Sequence, residues 1–212
     1  MDMKNMLLVF IIINLIINIC FFAVFELKKP CIRDFIPIAV ICAAASLGRL
    51  IFSFIPQVQP VTSLVIITGS AYGSLYGYIT GALCALISNM MLGQGPWTVF
   101  QMTAWGMVGL IAGIIGGPFR AKIYSYQKTK KGVFELSAFF IYGFISVLIF
   151  SIITDLMTIS YLGNALSLSS AITVFITGIL FNIGHGIFNS LLILLIYFPL
   201  KNKLIRCRRP HL

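Results

Sequence analysis

Acidic residues are nearly missing from this sequence: five Asp and Glu among 212 residues, with charged residues of both signs making up only 9%. Beside 59% hydrophobic residues, that scarcity excludes a soluble domain and marks a polytopic, all-α membrane helical bundle. The shortage of carboxylates also argues against hydrolytic chemistry. The chain contains no H-E-x-x-H, no G-x-S-x-G and no G-x-x-x-x-G-K-[ST]. No catalytic residue, metal or other cofactor is therefore expected. Cysteine is sparse as well. Cys20, Cys31, Cys42, Cys84 and Cys207 are odd in number and lack C-x-x-C spacing, so neither a disulfide framework nor a zinc site follows.

What the chain has instead is positive charge, +10 net, and its placement decides what that charge does. Thirteen of the fifteen Lys and Arg fall in three clusters: Lys28, Lys29 and Arg33; Arg120, Lys122, Lys128, Lys130 and Lys131; Lys201, Lys203, Arg206, Arg208 and Arg209. Each cluster ends an apolar segment, as cytoplasmic loops do under the positive-inside rule, so the basic charge faces lipid head groups and not nucleic acid. The expected topology is multi-pass in the cell membrane, with the N-terminus outside and the C-terminus cytoplasmic.

Six stretches read as membrane segments. Residues 6–25 are almost unbroken Leu, Ile, Val and Phe and lack a small-residue cleavage site before Glu26, so they read as a retained span. Residues 35–55 form the second span, with Ala39-x-x-x-Ala43 and Ala44-x-x-x-Gly48 permitting close helix approach. Residues 61–92 carry Gly69, Gly73, Gly77 and Gly81 at every fourth position. As one helix they would be about 48 Å long, more than one bilayer core. Two crossings, turning near Tyr76–Gly77, would put all three basic clusters on one side. Residues 99–118, 136–160 and 170–200 complete the set. The expected organisation is an N-terminal helix and basic loop (1–34), a membrane domain (35–200) and a basic tail (201–212).

One run breaks this pattern. Residues 89–106 read NMMLGQGPWTVFQMTAWG and bring two tryptophans, two glutamines, an asparagine and a proline into an otherwise apolar chain. Irregular backbone at membrane depth is tolerated where protein buries it or it lines a cavity. Trp97, Gln101 and Trp105 recur at i, i+4, i+8, roughly one helical face, and Asn89 and Gln94 lie just before them. Rings flanking an amide suit an organic ligand with apolar and polar parts. The competing reading places Trp97 in the interfacial aromatic belt and Trp105 in packing.

Six further positions join them as candidates. Arg49 needs a partner at membrane depth, whether head groups, Asp155, or a ligand carboxylate or phosphate. Gln57 and Gln59 sit in a Pro-bracketed outer loop, Pro56 to Pro60. Asn182 and His185 share a helical face with Asn189, either as a structural polar seam or as ligand contacts. Asp155 is either an interfacial carboxylate or part of the site. Glu135 is placed at the interface without a role.

These residues resemble the substrate-binding S components of energy-coupling factor (ECF) vitamin transporters. The resemblance rests on the Ala39-x-x-x-Ala43 helix, Arg49 before Pro-Gln-Val-Gln-Pro, the glycine ladder, Ser88-Asn89, and the Gly93-Gln94-Gly95-Pro96-Trp97 run through Gln101 and Trp105-Gly106. It implies a six-helix vitamin-binding core, here with an extra N-terminal helix. It also implies docking through Ala39 and Ala43 on a transmembrane coupling protein driven by two ABC-type ATPases. Within the family the GQGPWT run looks most like the cobalamin-specific branch; folate or pantothenate are other vitamins the family carries. The alternative from another class is a stand-alone secondary transporter with Asp155 and His185 as proton carriers. Such folds usually carry internal repeats, and none is evident.

Overall fold

The computed structural model describes residues 3–119, 130–162 and 166–208, and the described residues form seven α-helices and one 3-10 turn. The helices are α1 (Met3–Leu27), α2 (Ile32–Ile51), α3 (Val61–Tyr72), α4 (Ser74–Leu92), α5 (Trp97–Ile115), α6 (Lys130–Leu162) and α7 (Leu168–Arg208). Six are long and apolar enough to cross a membrane; α3, at 12 residues, is not. The expected helical bundle is present. Parts of the expected basic loop and outer loop, 120–129 and 163–165, lie outside the described residues, as do the ends of the chain.

The chain does reverse direction within 61–92, but the turn falls at Gly73 and not near Tyr76–Gly77. Gly73 has φ 107, a conformation that L side chains rarely adopt. The neighbouring ladder glycines serve a different purpose. A Cβ on Gly77 would collide with the Gly109 carbonyl, one on Gly81 with the Trp105 carbonyl, and one on Gly113 with the backbone of Ser74. These glycines let α4 and α5 lie backbone to backbone, the close approach that small-x-x-x-small spacing permits.

Ion pairs and side-chain-to-backbone bonds define one end of the bundle. Arg208 in α7 pairs with Asp34 in the first turn of α2, Nε to Oδ1 3.1 Å, and donates to the Tyr72 carbonyl that ends α3. Lys201 pairs with Glu135 near the start of α6 and donates to the Phe119 carbonyl beyond α5. The starts of α2, α4 and α6 and the ends of α3, α5 and α7 therefore share one end, which carries Lys28, Lys29, Arg33, Lys130, Lys131 and the basic last turns of α7. The parity inferred from charge is the parity of the fold. Glu135, expected at the interface, is instead fully buried and also accepts a 2.6 Å bond from the Tyr197 hydroxyl. The α7 helix continues through the basic segment from Lys201 to Arg208 and does not stop at Leu200.

The extra helix α1 packs across α4, α5 and α6. Its anchor is Asn18, which donates to Thr103 Oγ1 at 2.9 Å and accepts from the Tyr78 hydroxyl at 3.2 Å, while Phe21 stacks on Tyr78. The remainder of α1 is largely exposed, as a lipid-facing helix should be. Because it lies on that flank, α1 leaves the Ala39 and Ala43 face of α2 exposed.

Candidate ligand-binding site

The end opposite the basic clusters is shaped by the shortness of α3. Twelve residues rise only ~18 Å, against ~28 Å for the nineteen of α4. The missing length is taken up by the irregular segment 52–60, which bends over the end of α3. Pro56 and Pro60 stop it from continuing α2 as helix, and Gln57 takes a left-handed φ of 67. Beneath this segment lies a cavity of about 270 Å³, lined by Arg49, Phe52, Ser53, Ile55, Pro56, Gln57, Val58, Gln59, Leu92 and Phe181. Arg49, Gln57 and Gln59 are thus brought together at one cavity. None of its ten lining residues is acidic.

Arg49 is held from below by the polar run of α4 and α5. Its Nη1 donates to Ser88 Oγ and to Asn89 Oδ1, both at 2.7 Å, and its Nη2 approaches Gln101 Oε1 at 3.4 Å. Asn89 Nδ2 in turn donates to Gln101 Oε1 at 2.8 Å and to Thr98 Oγ1 at 3.1 Å. Thr98 donates to Gln94 Oε1 at 2.7 Å, and Gln94 Nε2 donates to the Leu86 carbonyl. The break at 93–96 makes this possible. Gly93, at φ 113, ends α4 and returns the chain at once into α5, so residues 88–89 face residues 98–101 across one turn of each helix.

Below Arg49 the support becomes aromatic. The guanidinium lies 4.9 Å from the centroid of the Trp105 ring, within cation–π range. Trp105 is fully buried, donates from Nε1 to Thr62 Oγ1 at 2.9 Å, and packs against Phe150. Thr62 Oγ1 is 3.1 Å from His185 Nε2. Trp105 and His185 therefore stand beneath the cavity and not on its wall. Asn189, on the same face as His185, accepts from Ser63, so this part of α7 is a polar seam to α3.

The other candidates lie elsewhere. Trp97 is 39% exposed and folds its ring over Gly95, at the outer rim. Asp155 and Asn182 both lie where α6 packs on α7: Asn182 donates to Ser151 Oγ and to the Gly178 carbonyl, and the Asp155 carboxylate abuts Gly178. No ion pair joins Asp155 to Arg49 or to His185 among the described residues. Thr62, Thr98, Phe52 and Phe181 belong to the site's structure without having stood out in the sequence. A threonine in an apolar helix ordinarily bonds its own preceding turn, so its hydroxyl carries no distinctive signal.

Among the described residues no cluster of His, Cys, Asp and Glu would hold a metal ion. A sequence-family model described as "ECF-type riboflavin transporter, S component" matches residues 31–202, which spans α2 to α6 and most of α7 and leaves out α1. Searches of curated proteins and of solved structures return no match. The matched segment is the one that carries the cavity, Arg49 with its supports, and the exposed alanine face, and by that match the chain belongs to the ECF-type riboflavin transporter S component family.

Proposed function

We propose that this protein captures riboflavin, or a compound of that size and shape, in the cavity under residues 52–60 and releases it on the opposite side of the membrane. The observation that carries this reading is the cavity floored by Arg49 at the end of the bundle remote from Lys28, Lys29, Arg33, Lys130, Lys131 and the basic end of α7. With positive charge inside, that end faces outward. The family description names riboflavin. A cavity of about 270 Å³ lies at the lower edge of the usual range for small-molecule sites and suits a compact ring system better than a corrinoid. Riboflavin is accordingly preferred to cobalamin, and to folate or pantothenate, as the first ligand to test.

Release follows from reorientation when the protein is engaged by a transmembrane coupling protein and two ABC-type ATPases. The exposed Ala39 and Ala43 supply a face on which a partner helix can approach closely. Titration of the purified protein in lipid nanodiscs with riboflavin and with cobalamin, read by fluorescence, tests the ligand. Saturable one-to-one riboflavin binding is expected; binding of cobalamin alone would overturn the assignment. Uptake into proteoliposomes should require the ATPase subunits and ATP. Uptake by this chain alone, driven by a proton gradient, would replace this mechanism with a secondary transporter.

A further inference from the structure

Arg49 is the charged group of the cavity, and its electrostatic position is unusual. A guanidinium at membrane depth is costly unless it is compensated, and the ordinary compensation is a carboxylate. Here every hydrogen-bond partner of Arg49 is neutral: a serine hydroxyl, an asparagine carbonyl and a glutamine carbonyl. Among the described residues the salt bridges are Lys201–Glu135 and Arg208–Asp34, both at the far end of the bundle. Asp155, the acidic residue of the outer half of α6, lies against Gly178 of α7 instead.

The donors of Arg49 are divided unequally. Nη1 spends its two hydrogens on Ser88 and Asn89 at 2.7 Å each. Nη2 makes one long contact, 3.4 Å, and Nε donates to no described residue. The Nε–Nη2 edge of a guanidinium is the planar fork that pairs with two oxygens of a carboxylate or phosphate. Arg49 thus has one edge fixed by the protein, one face on Trp105, and a two-donor edge left over on a side chain that lines the cavity.

We infer that the ligand of this cavity carries an acidic group, a phosphate monoester or a carboxylate, that pairs with the free edge of Arg49. This inference rests on the proposed ligand site and shifts its preferred occupant from neutral riboflavin to an acidic compound of similar size, such as its phosphate ester. Ser88, Asn89, Gln101 and Trp105 then act as positioning residues that aim the guanidinium.

The test compares riboflavin with riboflavin 5′-phosphate, titrated by flavin fluorescence against the full chain in nanodiscs. The chain is taken as wild type, Arg49→Gln and Arg49→Lys, with size-exclusion profiles checking each variant's fold. A charge-assisted bidentate contact predicts at least about tenfold tighter binding of the phosphate ester by the wild type. The ratio should fall to near one in Arg49→Gln and be partly retained in Arg49→Lys. Equal or tighter binding of riboflavin by the wild type would overturn the inference and make Arg49 a structural strut. If neither flavin binds, the flavin assignment fails separately, and mass spectrometry of co-purifying small molecules decides the charge question. An acidic compound held by the wild type and lost from Arg49→Gln supports the inference. A neutral compound, no compound, or one held equally by both overturns it.

Discussion

The Arg49 guanidinium carbon lies over the Trp105 ring, 4.9 Å from its centroid, while the indole nitrogen of Trp105 is spent on Thr62. This tryptophan therefore acts on the cavity through Arg49 and through the start of α3. Trp105→Ala should weaken ligand binding by about tenfold, the upper part of the range for a desolvated cation–π contact, without preventing membrane insertion. Trp105→Phe keeps a ring and should recover most of that loss. Unchanged affinity in Trp105→Ala, measured by ligand titration, would detach the residue from the site.

Asn89 is the central member of the amide network, with bonds to Arg49, Gln101 and Thr98. Asn89→Ala should cost more binding affinity than Gln101→Ala, whose loss leaves the two short Arg49 bonds intact. Because both variants act on Arg49, their effects should be far from additive in a double-mutant cycle. Additive losses, read from the same titrations, would mean that the two amides act on the ligand independently.

Ala39 and Ala43 lie on an exposed face of α2 that neither the core nor α1 covers. Ala39→Trp or Ala43→Trp should leave ligand affinity within about twofold of wild type, since neither residue touches the cavity, while blocking close helix approach. Uptake in proteoliposomes with the coupling subunits should fall sharply. Normal assembly and uptake would remove this face from the coupling mechanism.

Much of this architecture is written in the sequence at low resolution. Hydropathy and the three basic clusters point to a reversal of the chain within residues 61–92, and Arg208 with Asp34 and Lys201 with Glu135 bring the described members of those clusters to one end. The phase of the turn is not legible, because four glycines at the same spacing are equivalent as letters. Gly73 differs from Gly77 and Gly81 in its backbone: of the three it takes the positive φ, while Gly77 and Gly81 stay helical and press on α5. At the cavity, Arg49 and the glutamines stand out because they are polar in an apolar chain. Thr62 and Thr98 do not, since a hydroxyl that bonds across helices looks the same as one that bonds its own turn. Glu135 reads as interfacial because its partner Lys201 lies 66 residues away, within a basic segment that looks like a tail.

Gly73→Val places a β-branched residue at φ 107, where Cβ sterics cost on the order of 1–2 kcal/mol before any repacking. The α3–α4 turn should lose stability, seen as a lower unfolding midpoint in detergent. Gly93→Val, at φ 113 but with open space around it, should show a similar backbone cost without added clash. Gly93 also sets the approach of residues 88–89 to 98–101, so its variant should additionally weaken ligand binding. Equal binding by both glycine variants would show that the second turn does not position the amide network.

The Glu135–Lys201 pair is buried on both sides, 0% and 1% exposed, and is joined by the Tyr197 hydroxyl and the Phe119 carbonyl. Removing one partner strands the other charge. Lys201→Met and Glu135→Gln should each be strongly destabilising, by about 3–5 kcal/mol for a stranded buried charge and less where the glutamine keeps a hydrogen bond to Tyr197. The double variant leaves no charge to desolvate and should recover much of the loss, so its stability should exceed that of Lys201→Met. Ligand affinity should be unaffected in all three, because the pair lies at the end of the bundle remote from Arg49. A double variant no more stable than Lys201→Met, in thermal unfolding monitored by fluorescence, would show that packing at Lys201, and not its charge, holds the starts of α6 and the end of α7 together.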